Sequence, residues 1–460
     1  MKFEKYLGII DQRADLFYGV SDALWDEAEL PYGEYKAVDM ITGILEKEGF
    51  TVERNVANIP TCFTATYGTK GPHMGILAEY DALSGMSQEA HCPEQKSIPG
   101  KDTCHGCGHN LFAGGSLAAA LAVKAYIEDG HDGIVTLFGC PAEEGGSGKV
   151  FMARAGVFKG IDTVISWHPE RMYMVRTRPS LANKSILFSF EGIASHAGGS
   201  PEKGRSALDA VELMNVGSNF LREHMPLTNR LHYAIIDAGG TAPNMVQSHA
   251  KVMYTIRSVD NEGLQELKER VERIAQGAAL MTDTKVSWKT VSAYSNLITI
   301  PTLQQVGTEA MKDLVMPIPT EEDLEYGKKL QESMILTKEQ KAEGPFAAYV
   351  RDPAPPVPHG GSTDTADVSW NTPTLQFHIG NWVVGTPGHS WQAVSQCKSP
   401  YAKRAMLFGG QAVAGTIIRM LDNPELIAQA KAEHAAKVGD GYVCPLPDDV
   451  EPDIRPRPEN

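Results

Sequence analysis

Residues 73–83 read HMGILAEYDAL, an apolar run that breaks off at the acid Asp81. A run of this length, bounded by polar positions and without alternation, fits a strand covered on both faces at the centre of a parallel sheet. Two later runs repeat the form. IVTLFGCPAEE (134–144) ends in Glu143 and Glu144, and DTVISWHPE (162–170) carries His168 near its end. Between the first two, LFAGGSLAAALAVKAYIEDG (111–130) reads as a buried helix, with Asn110 placed to cap it and Gly130 to stop it. Open α/β sheets bind ligands beyond the carboxyl ends of their strands. Three successive ends bearing Asp, Glu-Glu and His therefore mark a site.

Upstream, residues 11–49 carry helical periodicity interrupted by the turn LPYGEY (30–35). From residue 184 the pattern changes. KSILFSFEG (184–192), LHYAIIDAGG (231–240), AKVMYTIRS (250–258) and KVSWKTVSAY (285–294) read as strands, with helices expected over 204–223 and 261–281. That β-α-β-β-α-β order is ferredoxin-like and can stand as its own domain. After residue 300 the α/β character returns, with a strand at TLQFHIG (374–380) and a long helix from YAKRAMLFGGQAVAGTIIRML (401–421). The expected fold is α/β: a doubly wound, mostly parallel sheet interrupted by an inserted ferredoxin-like α+β domain. The boundaries fall at 1–183, 184–298 and 299–460. The stretch 315–358, rich in Pro, Glu and Lys, reads as a surface excursion, and PLPDDVEPDIRPRPEN (445–460) as a weakly ordered tail.

Composition sets limits on partners. The chain has 460 residues, a formal charge of -15 and a pI near 5.4, so nucleic acid and anionic membranes are repelled by its mean field. No apolar run approaches the roughly 20 residues needed to span a bilayer. The N-terminus, MKFEKYLGIIDQRADLFYGV, has acids inside its apolar pattern and reads as an amphipathic helix, not a signal peptide. Seven scattered cysteines fit a reducing compartment better than a disulfide framework, which points to the cytoplasm.

The densest chemistry lies in DTCHGCGHN (102–110). Cys104-x-x-Cys107 has the spacing of a dithiol, yet it lacks a thioredoxin-like flank, and no second close cysteine pair completes a structural zinc site. Turn residues without chemistry are the plain alternative, since Cys is often only a small buried hydrophobe. A catalytic metal reading fits the company these residues keep. Cys107 and His109, two apart across Gly108, can point into one pocket, and thiolate, imidazole and carboxylate together suit zinc or a similar divalent ion. His168 in SWHPE and His389 in GTPGHSWQ also follow apolar strands or strand-loops.

Together these stretches resemble the binuclear metallo-aminoacylase and carboxypeptidase superfamily, and more closely its amidohydrolase branch. The likeness runs along nearly the whole chain through EYDAL, HGCGHN, PAEEGGSGK, SWHP, EGIASHAGGSPEKGRSALDA, GGTAPNMV, GSTDTADVSW and GTPGHSW. It implies two divalent ions per subunit, manganese or zinc, held by Cys107, His109, Glu144, His168 and His389. It also implies Glu143 as general base on a metal-activated water and Asp81 as the acid that orients the site. In the peptidase branch an aspartate bridges the metals and a histidine lies two before the orienting Asp; here those positions are Cys107 and Glu79.

The resemblance makes the inserted domain a lid and dimerisation unit. There His196 matches the residue that stabilises the tetrahedral oxyanion, often in the partner subunit's site. Asn244 and Arg257 match positions that hold the substrate carboxylate, and an arginine ending an apolar strand is a natural bidentate clamp. Gly380 of HIG allows close backbone approach to a ligand. His359, His378 and Cys104 lie near the motifs without an assigned role.

The implied activity is hydrolysis of the amide bond of small N-acyl or N-aroyl amino acids of the p-aminobenzoyl-glutamate type, by a homodimer or higher oligomer. The alternatives are a dipeptidase or aminoacylase acting on dipeptides, β-alanyl ones included, and one subunit of a hetero-oligomeric hydrolase with a related partner.

Overall fold

The computed structural model of the chain describes residues 3–355 and 361–458. Three helices lead in: α1 (Glu4–Gln12), α2 (Ala14–Asp26) and α3 (Tyr35–Lys47), the last two parted at the turn around Pro31 and Gly33. Strands β1 (Thr51–Arg54), β2 (Phe63–Lys70) and β3 (His73–Glu79) come next, then α4 (His109–Glu128), β4 (Gly133–Cys140), α5 (Gly148–Arg154), β5 (Thr163–Glu170) and β6 (Met174–Val175). The chain then builds β7 (Ala182–Glu191), β8 (Ser195–His196), α6 (Ala207–Leu221), β9 (Arg230–Asp237), β10 (Met245–Val246), β11 (His249–Ser258), α7 (Asn261–Thr282) and β12 (Lys285–Tyr294). It ends with α8 (Pro301–Lys312), α9 (Glu321–Gln331), α10 (Lys338–Glu343), α11 (Thr365–Asn371), β13 (Thr374–Gly380), α12 (Trp391–Gln396), α13 (Pro400–Asp422) and α14 (Pro424–Val438).

The three apolar runs form the middle of a seven-stranded sheet of order β1-β2-β4-β3-β5-β13-β6. Its four central strands, β4, β3, β5 and β13, are mutually parallel, as continuous apolar runs require, while β1, β2 and β6 join antiparallel at the edges. Helices α4 and α13 pack together on one face of this sheet. A Cβ on Gly115 of α4 would sit 2.5 Å from the Trp167 ring, so only glycine lets helix and sheet approach this closely. Helix α4 is long and apolar enough to cross a membrane, but 83% of its most apolar window is buried inside the fold. All four parallel strands finish at one edge of the sheet, which brings Asp81, Glu143, Glu144 and His168 to the same place.

The second sheet has the order β12-β7-β11-β9, antiparallel throughout, with α6 and α7 packed against it. The sequence order β-α-β-β-α-β is therefore met, and the unit has its own apolar core around Phe188, Tyr254, Val211 and Val271. Its inward residues, Ile186, Phe188 and Phe190 on β7 and Val252, Tyr254 and Ile256 on β11, alternate with less buried ones, as a sheet covered on one face should. A two-stranded ribbon, β8 with β10, stands apart from it.

Three local expectations are corrected. Asn110 is not the cap of α4: Gly108 is, in the left-handed region at φ 76°, and the Asn110 amide donates to Ser21 and to the Cys397 carbonyl instead. Gly130 does stop the helix, at φ 96°. The stretch 315–358 carries two helices where described, α9 and α10, each begun by a reciprocal capping box at Thr320 and Thr337. Tyr326, Leu330, Phe346 and Ala347 join the main core, so α9 and residues 346–347 are packed in, while α10 buries no residue and Val315, Ile318 and Ile335 stay exposed, as a surface excursion would. The C-terminal segment is likewise held down: Leu446 is buried, Arg154 donates to the Val450 carbonyl, and Tyr35 donates to the Arg455 carbonyl.

Candidate metal centre

The centre is built from turns that the backbone adopts under strain. Gly108 begins α4 with positive φ and would collide with Pro169 and Trp382 if it carried a Cβ, which presses the 107–109 turn against the end of β5. Ala142 and His389 are not glycines, yet they hold φ of 55° and 51°. Such geometry costs on the order of 1–3 kcal/mol per residue and persists where the surroundings impose it, often at sites of chemistry. The impositions are visible: the Ala142 N–H donates to Glu34 Oε1 at 2.9 Å, and the His389 N–H donates to the Gly106 carbonyl at 3.3 Å.

The side chains converge in three overlapping groups. Cys107, His109 and His168 place one ligand atom each within 4.8 Å of one another; so do Cys107, Glu144 and His389, and so do Glu79, His109 and Glu143. Cys107 Sγ is 3.4 Å from His168 Nε2, and His389 Nε2 is 3.2 Å from Glu144 Oε1. Asp81 accepts from His109 Nδ1 at 2.8 Å and, through its other oxygen, from the Glu144 N–H at 2.8 Å. One carboxylate thus orients an imidazole on α4 and the acidic loop after β4. That leaves His109 Nε2 facing inward, 3.1 Å from Glu79 Oε2.

Glu79 is the member whose role sequence reasoning missed. It sits at the end of β3, 2.7 Å from the buried Lys149 Nζ, which in turn lies 2.6 Å from Asp364 Oδ1. The Lys149 N–H also donates to Asp364 Oδ2 at 2.9 Å. Lys149 and Asp364 stand inside the motifs GSGK and GSTDT, but pairs so far apart in sequence leave no local signal.

Electrostatics at the site follow from crowding of acids. Burial raises the Glu143 carboxyl well above its ordinary range, and Glu79, Glu144 and Asp364 push it further, against Lys149. Burial also works against charge on Asp81, but His109, the Glu144 N–H and Lys149 outweigh it and hold the carboxyl below its usual value. Burial opposes a charged His109, and Asp81 with Cys107 reverses that effect and raises it. The Cys107 thiol is pushed up by burial and by Glu144, and the His389 imidazole is raised by its bond to Glu144.

A divalent ion fits these residues. Both Glu79 oxygens, His109 Nε2 and Glu144 Oε1 are buried without a hydrogen bond of good geometry, an expensive state that a cation would relieve. Thiolate, imidazole and carboxylate donors together suit zinc or a similar divalent ion.

The remaining expected residues lie elsewhere or carry another explanation. His196 and Asn244 meet across the β8–β10 ribbon: His196 faces Met245, and the Ala197 N–H donates to the Asn244 carbonyl at 2.9 Å. Both are exposed, and His196 Nδ1 accepts from the N–H groups of Gly198 and Gly199. No described hydrogen bond or ion pair ties either side chain to the metal cluster of its own chain. Arg257, near the end of β11, is half-buried and donates to Ser362 Oγ at 2.7 Å, two residues before Asp364. Gly380 is buried where a Cβ would stand 2.5 Å from the Tyr173 ring, so its close approach is to that ring. His378 pairs in register with His168, Cys104 forms a β-bridge with Leu83, and His359 lies outside the described residues.

With this geometry in place, comparison with known proteins is direct. The pattern of peptidase family M20/M25/M40 matches residues 75–314. A p-aminobenzoyl-glutamate hydrolase subunit of Escherichia coli is 39% identical over 457 residues, covering 94% of this chain and 95% of that one. The Xaa-Arg dipeptidase of Mus musculus is 29% identical over 446 residues, covering 93% and 91%. Among solved structures, the aminobenzoyl-glutamate utilization protein of Klebsiella pneumoniae superposes with a TM-score of 0.59 at 18% identity, covering 91% of this chain and 98% of that one. A dinuclear metal binding peptidase of Bacillus subtilis does so with a TM-score of 0.56 at 16% identity, covering 88% and 98%. The chain belongs to peptidase family M20/M25/M40. Within that family it is a hydrolase of amide bonds.

Proposed function

We propose that this chain is a metal-dependent amidohydrolase that cleaves the amide bond of N-acyl or N-aroyl amino acids, p-aminobenzoyl-glutamate-like conjugates first among them. The observation that carries it is the convergence of Cys107, His109, Glu144, His168 and His389 with two further carboxylates, Glu79 and Glu143, at the carboxyl ends of four parallel strands. Cys107, His109, Glu144, His168 and His389 would hold two divalent ions, manganese or zinc. Such ions polarise a carbonyl and lower the pKa of a bound water toward about 7.

Glu143 takes the attacking water's proton and passes it to the leaving amine. Its burial among other acids, Glu79 first among them, keeps it basic enough to accept, and Lys149 tempers that effect. Asp81 holds His109 by Nδ1 so that Nε2 faces inward. Asn244 and Arg257 hold the free carboxylate of the amino acid. His196 stabilises the oxyanion of the tetrahedral intermediate.

Its exposed position on the β8–β10 ribbon supports action in a partner subunit's site. The 184–298 unit would serve as lid and dimerisation domain, and its surface supports that. The edge strand β9 exposes Tyr233, Ile235 and Ile236, and α6 exposes Leu213, Val216 and Phe220 along one stripe. A homodimer, or a pairing with a related subunit, would cover these, and the cytoplasm is the compartment we assign.

The likeness to a dipeptidase favours a second reading, hydrolysis of dipeptides. Amine release from a panel of N-acyl, N-aroyl and dipeptide substrates, with manganese or zinc, tests both. We expect Glu143→Ala to lower kcat by about 10²–10⁴-fold while metal content stays. Full activity in that variant, or no stoichiometric metal in the purified chain, would sink the proposal.

A further inference from the structure

Alternation along β13 separates two sets of side chains. A Cβ on Gly307 of α8 would meet Leu375 and Phe377, so these face that helix, and Gln376 and His378 turn to the opposite face of the sheet. In the parallel register with β5, Gln376 lies beside Ser166 and His378 beside His168. Gln376 therefore shares a face with His168 of the candidate cluster, two residues nearer the amino end of the strand.

Arg176 is fastened there. Its N–H donates to the Gln376 carbonyl at 2.9 Å and its Nη1 to Gln376 Oε1 at 2.6 Å. Arg176 as a whole is half-buried, and burial is the main influence on its guanidinium. Glu170 and Glu143 are the acids whose charges reach it, but among the described residues no carboxylate comes within ion-pair distance. The contrast with other arginines is plain: Arg13, Arg351 and Arg404 each hold an acid.

Burial lowers its pKa to about 10, which still leaves it charged at neutral pH. Next to Gln376 in the register, Ser166 Oγ is buried without a partner. A guanidinium set this deep is costly without a counter-charge, and its planar fork has donors left for a carboxylate.

We propose that Arg176 binds a second carboxylate on the substrate, so that the site selects N-acyl derivatives of acidic amino acids over neutral and basic ones. This rests on the amidohydrolase reading above and adds the residue that sets the leaving amino acid. A basic side chain would bring two cations together at Arg176, which disfavours a C-terminal arginine.

The test is kcat/KM for N-benzoyl-L-glutamate and N-benzoyl-L-glutamine with metal-loaded wild type, Arg176→Gln and Arg176→Lys. Wild type is expected to prefer the glutamate compound. Arg176→Gln should lower kcat/KM on that compound about 10- to 100-fold, mainly through KM, the range of a lost hydrogen bond to a charged group. It should lose much less on the glutamine compound, and Arg176→Lys should recover part of the preference.

Equal losses on both compounds, an unchanged preference in Arg176→Gln, or no preference in wild type would each overturn the inference while leaving the amidohydrolase reading standing. No release from either compound by wild type overturns that reading and takes the inference with it. Should Arg176→Gln not fold, Arg176→Lys decides: a preference as large as wild type's, at the same KM, overturns the role.

Discussion

Lys149 shows how much a single buried charge can determine. It is fully buried between Glu79 and Asp364, and removing one partner of such a set leaves uncompensated charge inside the protein. Lys149→Met should lower the unfolding free energy by about 3–5 kcal/mol in urea melts. Loss of Lys5, 68% exposed beside Asp129, should leave the midpoint unmoved. Two histidines set a pH dependence. Burial holds His105 at about 3 and His378 at about 4, below the ordinary 6.5. Unfolded imidazoles take up protons near pH 6.5 that the folded ones refuse, so their contribution is full above that pH and is lost as pH falls toward 3 to 4. Metal-free protein should therefore lose stability between pH 6.5 and 4, and His105→Asn should flatten that slope; a parallel slope in the variant would refute the assignment.

Among the elements, the N-terminus of α4 does most to shape the centre, because one turn carries Cys107, Gly108 and His109 into the fold. Glycine suits the cap, since the turn needs positive φ and a Cβ would press against Pro169 at 3.0 Å. Gly108→Ala should cost about 1–3 kcal/mol of stability and weaken metal binding with it, read by thermal melts and by metal titration. An unchanged metal affinity would show that the turn does not set the ligand positions. The three strand ends were legible because a strand buried on both faces is a continuous apolar run, and the residues directly after it must lie at the sheet edge. Asn110 misled for a physical reason: its side chain is of the capping type, but tertiary contacts to Ser21 and Cys397 claimed its amide. Helix α9 was hidden because its polar composition reads as surface, while a few residues such as Tyr326 and Leu330 anchor it.

Across the whole molecule, Glu143 and His196, to which we assign proton transfer and oxyanion stabilisation, sit on different units. If sites are completed across subunits, mixing inactive His196→Ala and Glu143→Ala chains should restore a fraction of activity, and Ile235→Lys on the edge strand β9 should abolish that recovery. No recovery from mixed chains would place His196 in its own subunit's site or outside catalysis. By itself the sequence determined the order of strands and helices, the acids and imidazoles at strand ends, and the ferredoxin-like pattern between them. These follow from local periodicity and from residue types that ligate metal, both of which are written in short windows. Tertiary structure alone decided that Glu79 joins the centre, that Lys149 and Asp364 balance it, that Gly380 yields to Tyr173, and that Arg176 is tied to Gln376 with no ion pair among the described residues. Each of these depends on distances between segments as much as 285 positions apart, Glu79 and Asp364 among them, and no local pattern encodes such distances.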